Sequence, residues 1–277
     1  MKLDLDKRLL TSLMIMGSVV EARDAYTGGH LWRVAQFSRL LARGAGMDEH
    51  QVFLMALGGY LHDLGKVGVP DSVLNKAGAL TDEEYAVIRT HPATGRAMLQ
   101  EHPLAPLALD AITYHHERPD GRGYPDGLDG DAIPLVANVV AIADTFDAMT
   151  STRPYRRGMP VERAVELLAS EGGRQLDAHL LGHFLILARA GELDHVVGHS
   201  LTGHRLADCP YCGPIIPTHE VANGDLHACR ACSGVFRLHR KGEDWVVEET
   251  GDHAALADLR PEPDRAPIGE LIRELAG

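Results

Sequence analysis

His62-Asp63-Leu64-Gly65-Lys66 places an imidazole and a carboxylate on adjacent residues. Both can ligate one divalent cation, and the carboxylate keeps a second oxygen for another ion. Lys66, four residues after the histidine, falls on the same side of a helical turn, near an oxyanion that such a metal would bind. The same pair also occurs at ordinary helix ends, with the Asp solvated and the His half-buried, so the decision rests on further ligands. His30, His91, His115, His116 and Asp144 supply them, at the ends or on the faces of other predicted helices. With His62 and Asp63 these are too many donors for one ion and match two ions sharing the Asp63 carboxylate. Imidazole and carboxylate without sulfur suit iron, manganese, nickel, cobalt or zinc and argue against calcium; iron or manganese is the expectation. A hydroxide bridging two such ions is a competent nucleophile at neutral pH for in-line attack on a phosphoryl group.

The elements that must position these residues read as helices. Leu5, Leu9, Leu13, Met16 and Val20 recur at helical spacing, and after the Gly28-Gly29 break His30, Val34, Phe37 and Leu41 resume it. Asp48 with Gln51, and Thr81 with Glu84, are capping boxes opening two more helices, the first of which runs to Leu61. Pro92 places His91 at an element end, and a helix from about Leu104 ends in His115-His116. Residues 118–130 are rich in glycine and proline and form a turn-rich loop longer than a plain connector needs. Ile133 to Met149 carries Asp144 and Asp147 on one helical face, and Val161–Ala169 and Asp177–Ala190 are amphipathic. Residues 1–190 thus hold some eight to ten helices and no convincing strand.

Composition narrows the class. A chain of 277 residues with 45% hydrophobic content can bury a substantial core. Its net charge of −12 and pI near 5.7 exclude a broad nucleic-acid-binding surface but leave room for a small anion in a locally basic pocket. Leu9 to Val20 is apolar, yet Thr11, Ser12, Gly17 and Ser18 interrupt it. It falls short of the roughly 18 residues of a membrane span, and Glu21-Ala22-Arg23-Asp24 is no signal cleavage site. All 4 cysteines lie in the last third, as Cys209-Pro-Tyr-Cys212 and Cys229-Arg-Ala-Cys232. Two such knuckles across a loop of this length form a tetrahedral structural zinc site, a zinc ribbon, and leave no cysteine for disulfides, which fits a reducing cytoplasm. Ile215-Ile216, Val235–His239 and Trp245–Glu249 read as its strands, with Gly242-Glu243-Asp244 as a turn. His219 and His227 read as surface residues beside a site already closed by sulfur.

His30 with Arg33-Val34, His62-Asp63-Leu-Gly-Lys66, His91-Pro-Ala-Thr-Gly95, the run from His115 to Leu128 containing Gly123-Tyr124-Pro125, and Asp144-Thr-Phe-Asp-Ala-Met-Thr150 through Arg153-Pro154-Tyr155-Arg156 together closely resemble the HD-GYP family of bacterial metal-dependent phosphodiesterases. The resemblance spans about residues 15 to 190 and includes Leu176-Asp177. It implies an all-α HD domain that hydrolyses cyclic di-GMP to the linear dinucleotide and, in many members, onward to GMP. It implies metal ligation by His30, His62, Asp63, His91, His115, His116 and Asp144, with Asp63 and Lys66 in catalysis. Substrate contacts are implied for Lys66, Asp147, Arg153 and Arg156, and for the Gly123-Tyr124-Pro125 loop, which in some members also binds diguanylate cyclases. Members with three metals carry an acid four residues before the first histidine, where this chain has Tyr26.

The expected architecture is therefore an all-α HD-domain helical bundle over residues 1–190, a linker over 191–206, a four-cysteine zinc ribbon over 207–250, and a tail over 251–277 with a short helix near Ile268. Two other classes compete with a cyclic di-GMP phosphodiesterase: a phosphohydrolase for another cyclic dinucleotide or nucleotide, and a signalling scaffold acting through the ribbon. Tyr26 sets the expected metal count. Anaerobically purified protein should hold two first-row ions per chain at the histidine cluster besides one zinc, and elemental analysis finding a third ion at that cluster would overturn the assignment.

Overall fold

The computed structural model describes residues 6–24, 26, 28–76, 78–153, 156–242, 244–260 and 262–276. Pro154 and Tyr155 of the arginine motif and Glu243 of the expected turn lie outside the described residues. Helices occupy the first two thirds: α1 (Lys7–Glu21), α2 (His30–Gly44), α3 (Glu49–Leu61), α4 (Asp71–Leu74), α5 (Asp82–Ile88), α6 (His91–Leu99), α7 (Leu109–Tyr114), α8 (Leu135–Thr150), α9 (Val161–Ala169) and α10 (Ala178–Arg189). Both capping boxes are formed. The Asp48 carboxylate accepts from the Gln51 amide at 2.8 Å, and Thr81 and Glu84 exchange the equivalent bonds at the start of α5. Pro92 sits in the first turn of α6, where its missing N–H leaves no bond unmade.

α3 is the axis of the bundle. Val52, Phe53 and every residue from Met55 to Leu61 are buried, as expected of a helix surrounded on all sides. α2 packs along one flank and α8 along another, and Phe37, Phe146 and Phe184 tie α2, α8 and α10 together in edge-to-face contacts with centroids 5.1–6.4 Å apart. The axis thus ends, rigidly held, at His62 and Asp63.

The remainder is β-structure with a core of its own. β1 (His199–Leu201) pairs with β2 (His204–Arg205), β3 (Ala207–Cys209) with β4 (Gly213–Ile216), and β5 (Leu226–Ala228), β6 (Gly234–Lys241) and β7 (Asp244–His253) form an antiparallel sheet in that order. Ile215, Ile216, Phe236 and Leu238 fill its interior with Cys209 and Cys229. The expected strands appear within β4, β6 and β7. The others are two or three residues long, too short for an alternating pattern to register.

One expectation needs correction. Residues 191–206 are no free linker: Leu193 and Val196 are buried in the helical core, and the β1–β2 hairpin packs on α2. The short helix expected near Ile268 is α11 (Ala266–Ala276), which docks by burying Ile268 and Leu271 against the same core. Trp32 Nε1 donates to Glu270 at 2.9 Å and Arg39 to Glu274 at 2.6 Å. Among the described residues no helix is long and apolar enough to cross a membrane.

The tight turn Leu64–Gly68 lies on α6 so closely that a Cβ on Gly65 would stand 1.8 Å from the His91 carbonyl oxygen and 2.5 Å from the Gly95 nitrogen. Backbone on both sides leaves no room to relax. Gly65→Ala is expected to cost about 3 kcal/mol, read by thermal unfolding as a fall of roughly 6–12 °C.

Candidate active site

Four histidines are oriented by what holds the far side of each ring. His62 Nδ1 donates to Gly59 O (2.7 Å), His91 Nδ1 to Ile88 O (2.8 Å) and His115 Nδ1 to Ala111 O (2.9 Å), each a carbonyl three or four residues earlier. His30 Nδ1 instead meets the Asp147 carboxylate at 2.7 Å. These bonds put the Nδ1 proton in place and aim Nε2 inward. His30 and His62 Nε2 lie 3.5 and 3.4 Å from Asp63 Oδ2, whereas His91 Nε2 lies 3.5 Å from Asp63 Oδ1. Asp144 Oδ1 stands 3.6 Å from His30 Nε2 and 3.8 Å from His62 Nε2. The two oxygens of one carboxylate therefore face two sets of donors.

Buried polar atoms normally find partners, yet His62 Nε2 has none, and His91 and His115 turn Nε2 atoms toward each other at 3.2 Å. Such a convergence of ring nitrogens with no proton donor among them fits cations between them. His30, His62 and Asp144 can hold one ion, and His91, His115 and His116 another, all with ligand atoms within 4.8 Å inside each group. Burial pushes His91 down to about 4 and His116 to about 3, and His115 also falls well below the usual histidine range through burial and its histidine neighbours. All three are neutral at pH 7 and ready to ligate. Burial also opposes charge on His30, but its bonds to Asp147 and Asp63 outweigh that and raise it to about 9.

Lys66 Nζ donates to Asp63 Oδ2 at 2.6 Å and is a quarter exposed, at the rim of the cluster. Arg153 lies in the field of Asp147, Asp24, Asp144 and Asp63, which together hold its charge against burial. Two other predicted substrate contacts are placed elsewhere. Asp147 is fully buried behind His30, where Arg33 Nε donates to it at 2.5 Å; burial alone would raise its carboxyl, but Arg33 and His30 hold it well below the usual range. Arg156 turns back on its own chain, donating to the carbonyls of Met149 (2.9 Å) and Ala148. It caps the end of α8, where the last carbonyls have run out of helical amides, together with Met159 N, which also donates to Met149 O at 3.0 Å. His219, read as a surface residue, pairs with Asp264 at 3.1 Å with only 7% of its side chain exposed.

A cavity of about 540 Å³ opens beside the cluster. His115, His116 and Asp144 form its floor, and Arg89, Arg118, Arg122, Gly123 and Tyr124 are among its walls. Tyr124 stacks on His116 with centroids 4.8 Å apart, and the Arg89 guanidinium lies 4.5 Å from the centre of the tyrosine ring. Pro125 is exposed and does not line the cavity. Gly123 lies so close to the chain before it that a Cβ would come within 2.4 Å of Glu117 Cα.

Three residues without a role in the sequence reading organise this site. Arg33 is buried and bonds Asp147, Gly28 O, His199 O and Ser151. Its spacing of three from His30 put it on the same helical face, which was the available signal. Glu117, also buried, accepts the amides of Asp126, Gly127 and Leu128 at 2.7–3.0 Å. No pattern marks Glu117, because its partners are backbone groups around ten residues away. Arg89 is brought in by tertiary packing alone.

In the knuckles, the four Sγ atoms lie within 4.8 Å of one another, and no cysteine is in a disulfide. The 3.7 Å between Cys209 and Cys232 Sγ matches the edge of a tetrahedron with Zn–S of about 2.3 Å. Tyr26 is half-buried against the core of this module, in the field of Cys212.

Comparison with known proteins follows from this geometry. The HD domain family matches residues 15–180, and the chain belongs to that family. It is 37% identical over 202 residues to the cyclic di-GMP phosphodiesterase response regulator RpfG of Xanthomonas campestris pv. campestris, covering 72% of this chain and 53% of the relative. It is 37% identical over 153 residues to 3'3'-cGAMP-specific phosphodiesterase 3 of Vibrio cholerae, covering 55% of this chain and 33% of the relative. The chain thus spans about half or less of these relatives. Among solved structures, Bd1817, a HDG"Y"P protein from Bdellovibrio bacteriovorus, superposes with a TM-score of 0.51 at 23% identity over 60% of this chain and 53% of that one, a likeness of fold.

The Glu117 carboxylate is the anchor of the glycine-rich loop. Glu117→Ala leaves three amides without their acceptor, at a cost of about 2–4 kcal/mol to the folded loop. Hydrogen exchange should rise at residues 126–128 while metal content stays at the wild-type value; unchanged exchange there would show the loop to be held by other contacts.

Proposed function

We propose that the chain is a cyclic dinucleotide phosphodiesterase that hydrolyses cyclic di-GMP to the linear dinucleotide at a site for two divalent ions, iron or manganese first. The observation that carries this reading is Asp63, whose Oδ2 faces His30 and His62 and whose Oδ1 faces His91. In that reading His30, His62 and Asp144 hold one ion, His91, His115 and His116 the other, and Asp63 is shared. Ions so held would supply Lewis acidity toward a phosphoryl oxygen and would lower the pKa of a bound water.

The chain's own groups do the rest. Asp147, locked by Arg33, keeps the His30 ring fixed and its inward nitrogen available. Lys66, at the rim, stabilises the charge that builds on the phosphoryl oxygens as water attacks. Arg153 neutralises the carboxylates crowded around it and offers a guanidinium to the same phosphate. The cavity volume lies within the range that holds a small-molecule ligand, and Arg89, Arg118 and Arg122 give one wall the sign a dianion needs. The burial of Asp63 and the histidines excludes bulk water, which strengthens each of these charge interactions.

3'3'-cGAMP is the second substrate reading, supported by the identity to the Vibrio cholerae relative, which equals that to the cyclic di-GMP relative. The cysteine cluster is assigned one structural zinc on the strength of its sulfur spacing. Chromatography of products from both cyclic dinucleotides, with protein reconstituted in Fe²⁺ or Mn²⁺ under reducing conditions, separates the readings. Linear product is expected, and no turnover of either compound would reject the function. Asp63→Ala should lose both ions and all activity. Lys66→Ala should keep both ions and lose about 10²-fold in kcat; a Lys66 variant with wild-type kcat would remove the lysine from catalysis.

A further inference from the structure

The loop that delivers His30, residues 22–29, is held from two sides: Arg23 donates to the Lys66, Val67 and Val69 carbonyls and to Asp71, whereas Ala22, Tyr26, Gly28 and Gly29 meet the C-terminal module. Arg230 of the second knuckle donates to the Ala22 carbonyl. Asp24 lies in the field of Arg230 and Arg153 and shares a small cavity with His30, Asp63 and Lys66. Tyr26 packs against the buried core of the module, which includes Cys209, Cys229 and Phe236, with its phenol in the field of Cys212. A Cβ on Gly29 would stand 2.5 Å from Ser200 Cα, so closely does β1 approach. One turn into α2, Arg33 donates to His199 O at 2.9 Å. The module also reaches the end of α8, where a Cβ on Gly213 would touch Thr152 at 3.3 Å.

These contacts fall on one half of the cluster. His30 and Asp144 come from α2 and α8, the elements that the module grips, whereas His91, His115 and His116 rest on α6 and α7. The cysteine module, on which Tyr26 packs and from which Arg230 holds the Ala22 carbonyl, is thereby joined mechanically to His30. Neither Tyr26 nor Arg230 touches the reacting centre.

We propose that Tyr26 and Arg230 are positioning residues through which the four-cysteine module holds the α1–α2 loop, and so keeps His30 at the metal half formed with His62 and Asp144. This rests on the two-ion reading given above. Tyr26 rests on the core that carries Cys209 and Cys229, so the placement of the loop leading to His30 depends on that module being folded. The tyrosine at the place where three-metal relatives have an acid serves here as a strut to the ribbon.

The test uses the full chain and its Tyr26→Phe, Arg230→Lys and Tyr26→Ala/Arg230→Ala variants, titrated with Mn²⁺ and followed by electron paramagnetic resonance. Zinc content at the cysteines and hydrogen exchange over residues 22–29 are measured alongside. The double variant should bind one Mn²⁺ about tenfold more weakly, with the coupled two-ion signal giving way to an isolated-ion signal, faster loop exchange, and zinc retained. Tyr26→Phe, which keeps the ring but has no donor, should shift the same way to a smaller extent. Arg230→Lys, which can still donate to Ala22 O, should bind Mn²⁺ as the wild type does. Wild-type Mn²⁺ binding and loop exchange in the double variant would overturn the proposal. A wild-type chain that takes up no Mn²⁺ would instead remove the two-ion reading, and faster or unchanged exchange at 22–29 would then support or overturn the strut by itself.

Discussion

The structure depends on the outward bonds of four imidazoles. A histidine can turn either nitrogen to a metal, and a mixture of orientations would leave a buried site without defined geometry. Here His62 and His115 each spend Nδ1 on a carbonyl of the helix they end, His91 on the last carbonyl of α5, and His30 spends it on Asp147. The inward nitrogens then have no choice of direction. Gathering them around the Asp63 carboxylate, which is 8% exposed, is unfavourable unless charge is supplied there. Such a cluster persists because α3, buried on every side, fixes His62 and Asp63 before any ligand binds.

The two halves of the cluster are built by different means. His91 and His115 depend on local bonds at the ends of short helices, and their burial leaves them neutral. His30 depends on a buried chain of charges from Arg33 through Asp147, with Arg33 also bonded to the backbone at His199. That chain favours a protonated His30 in the absence of a cation, so an ion entering there must displace a proton. One half is thus set by secondary structure and the other by tertiary contacts. Disturbance at a distance reaches only the second.

How much of this was legible in the sequence follows from the range of the interactions. Helical periodicity, the two capping boxes and the ligand series are local patterns, and the bundle and the membership of His30, His62, Asp63, His91, His115, His116 and Asp144 in one cluster could be read from them. Asp147 and Arg156 share a face or a motif with site residues, and the family resemblance implied that both contact the substrate. Which way a side chain turns is settled by its neighbours: Asp147 meets Arg33 from another helix, and Arg156 finds the open carbonyls of α8. Glu117 was invisible because backbone amides carry no sequence signature. Residues 191–206 looked like a linker because a hairpin of two and three residues per strand has no period, and their docking on α2 is non-local.

For the proposed reading, an acidic chain that is to take a doubly charged anion has to reverse the sign of its field locally. The carboxylates of Asp63, Asp144 and Asp147 would repel a phosphodiester if left to themselves. Arg33 neutralises Asp147 from within, at a depth no substrate reaches, and Lys66 and Arg153 face Asp63 and Asp144 from the rim. Beyond them Arg89, Arg118 and Arg122 line the wall of the large cavity, some distance from the point of attack. Cations on both flanks suit a ligand whose two phosphates are held apart by a ring. With an overall charge of −12, the rest of the surface disfavours polyanions, which lack the compact shape to enter. Charge arrangement of this kind selects for a small dianion over nucleic acid without any base contact.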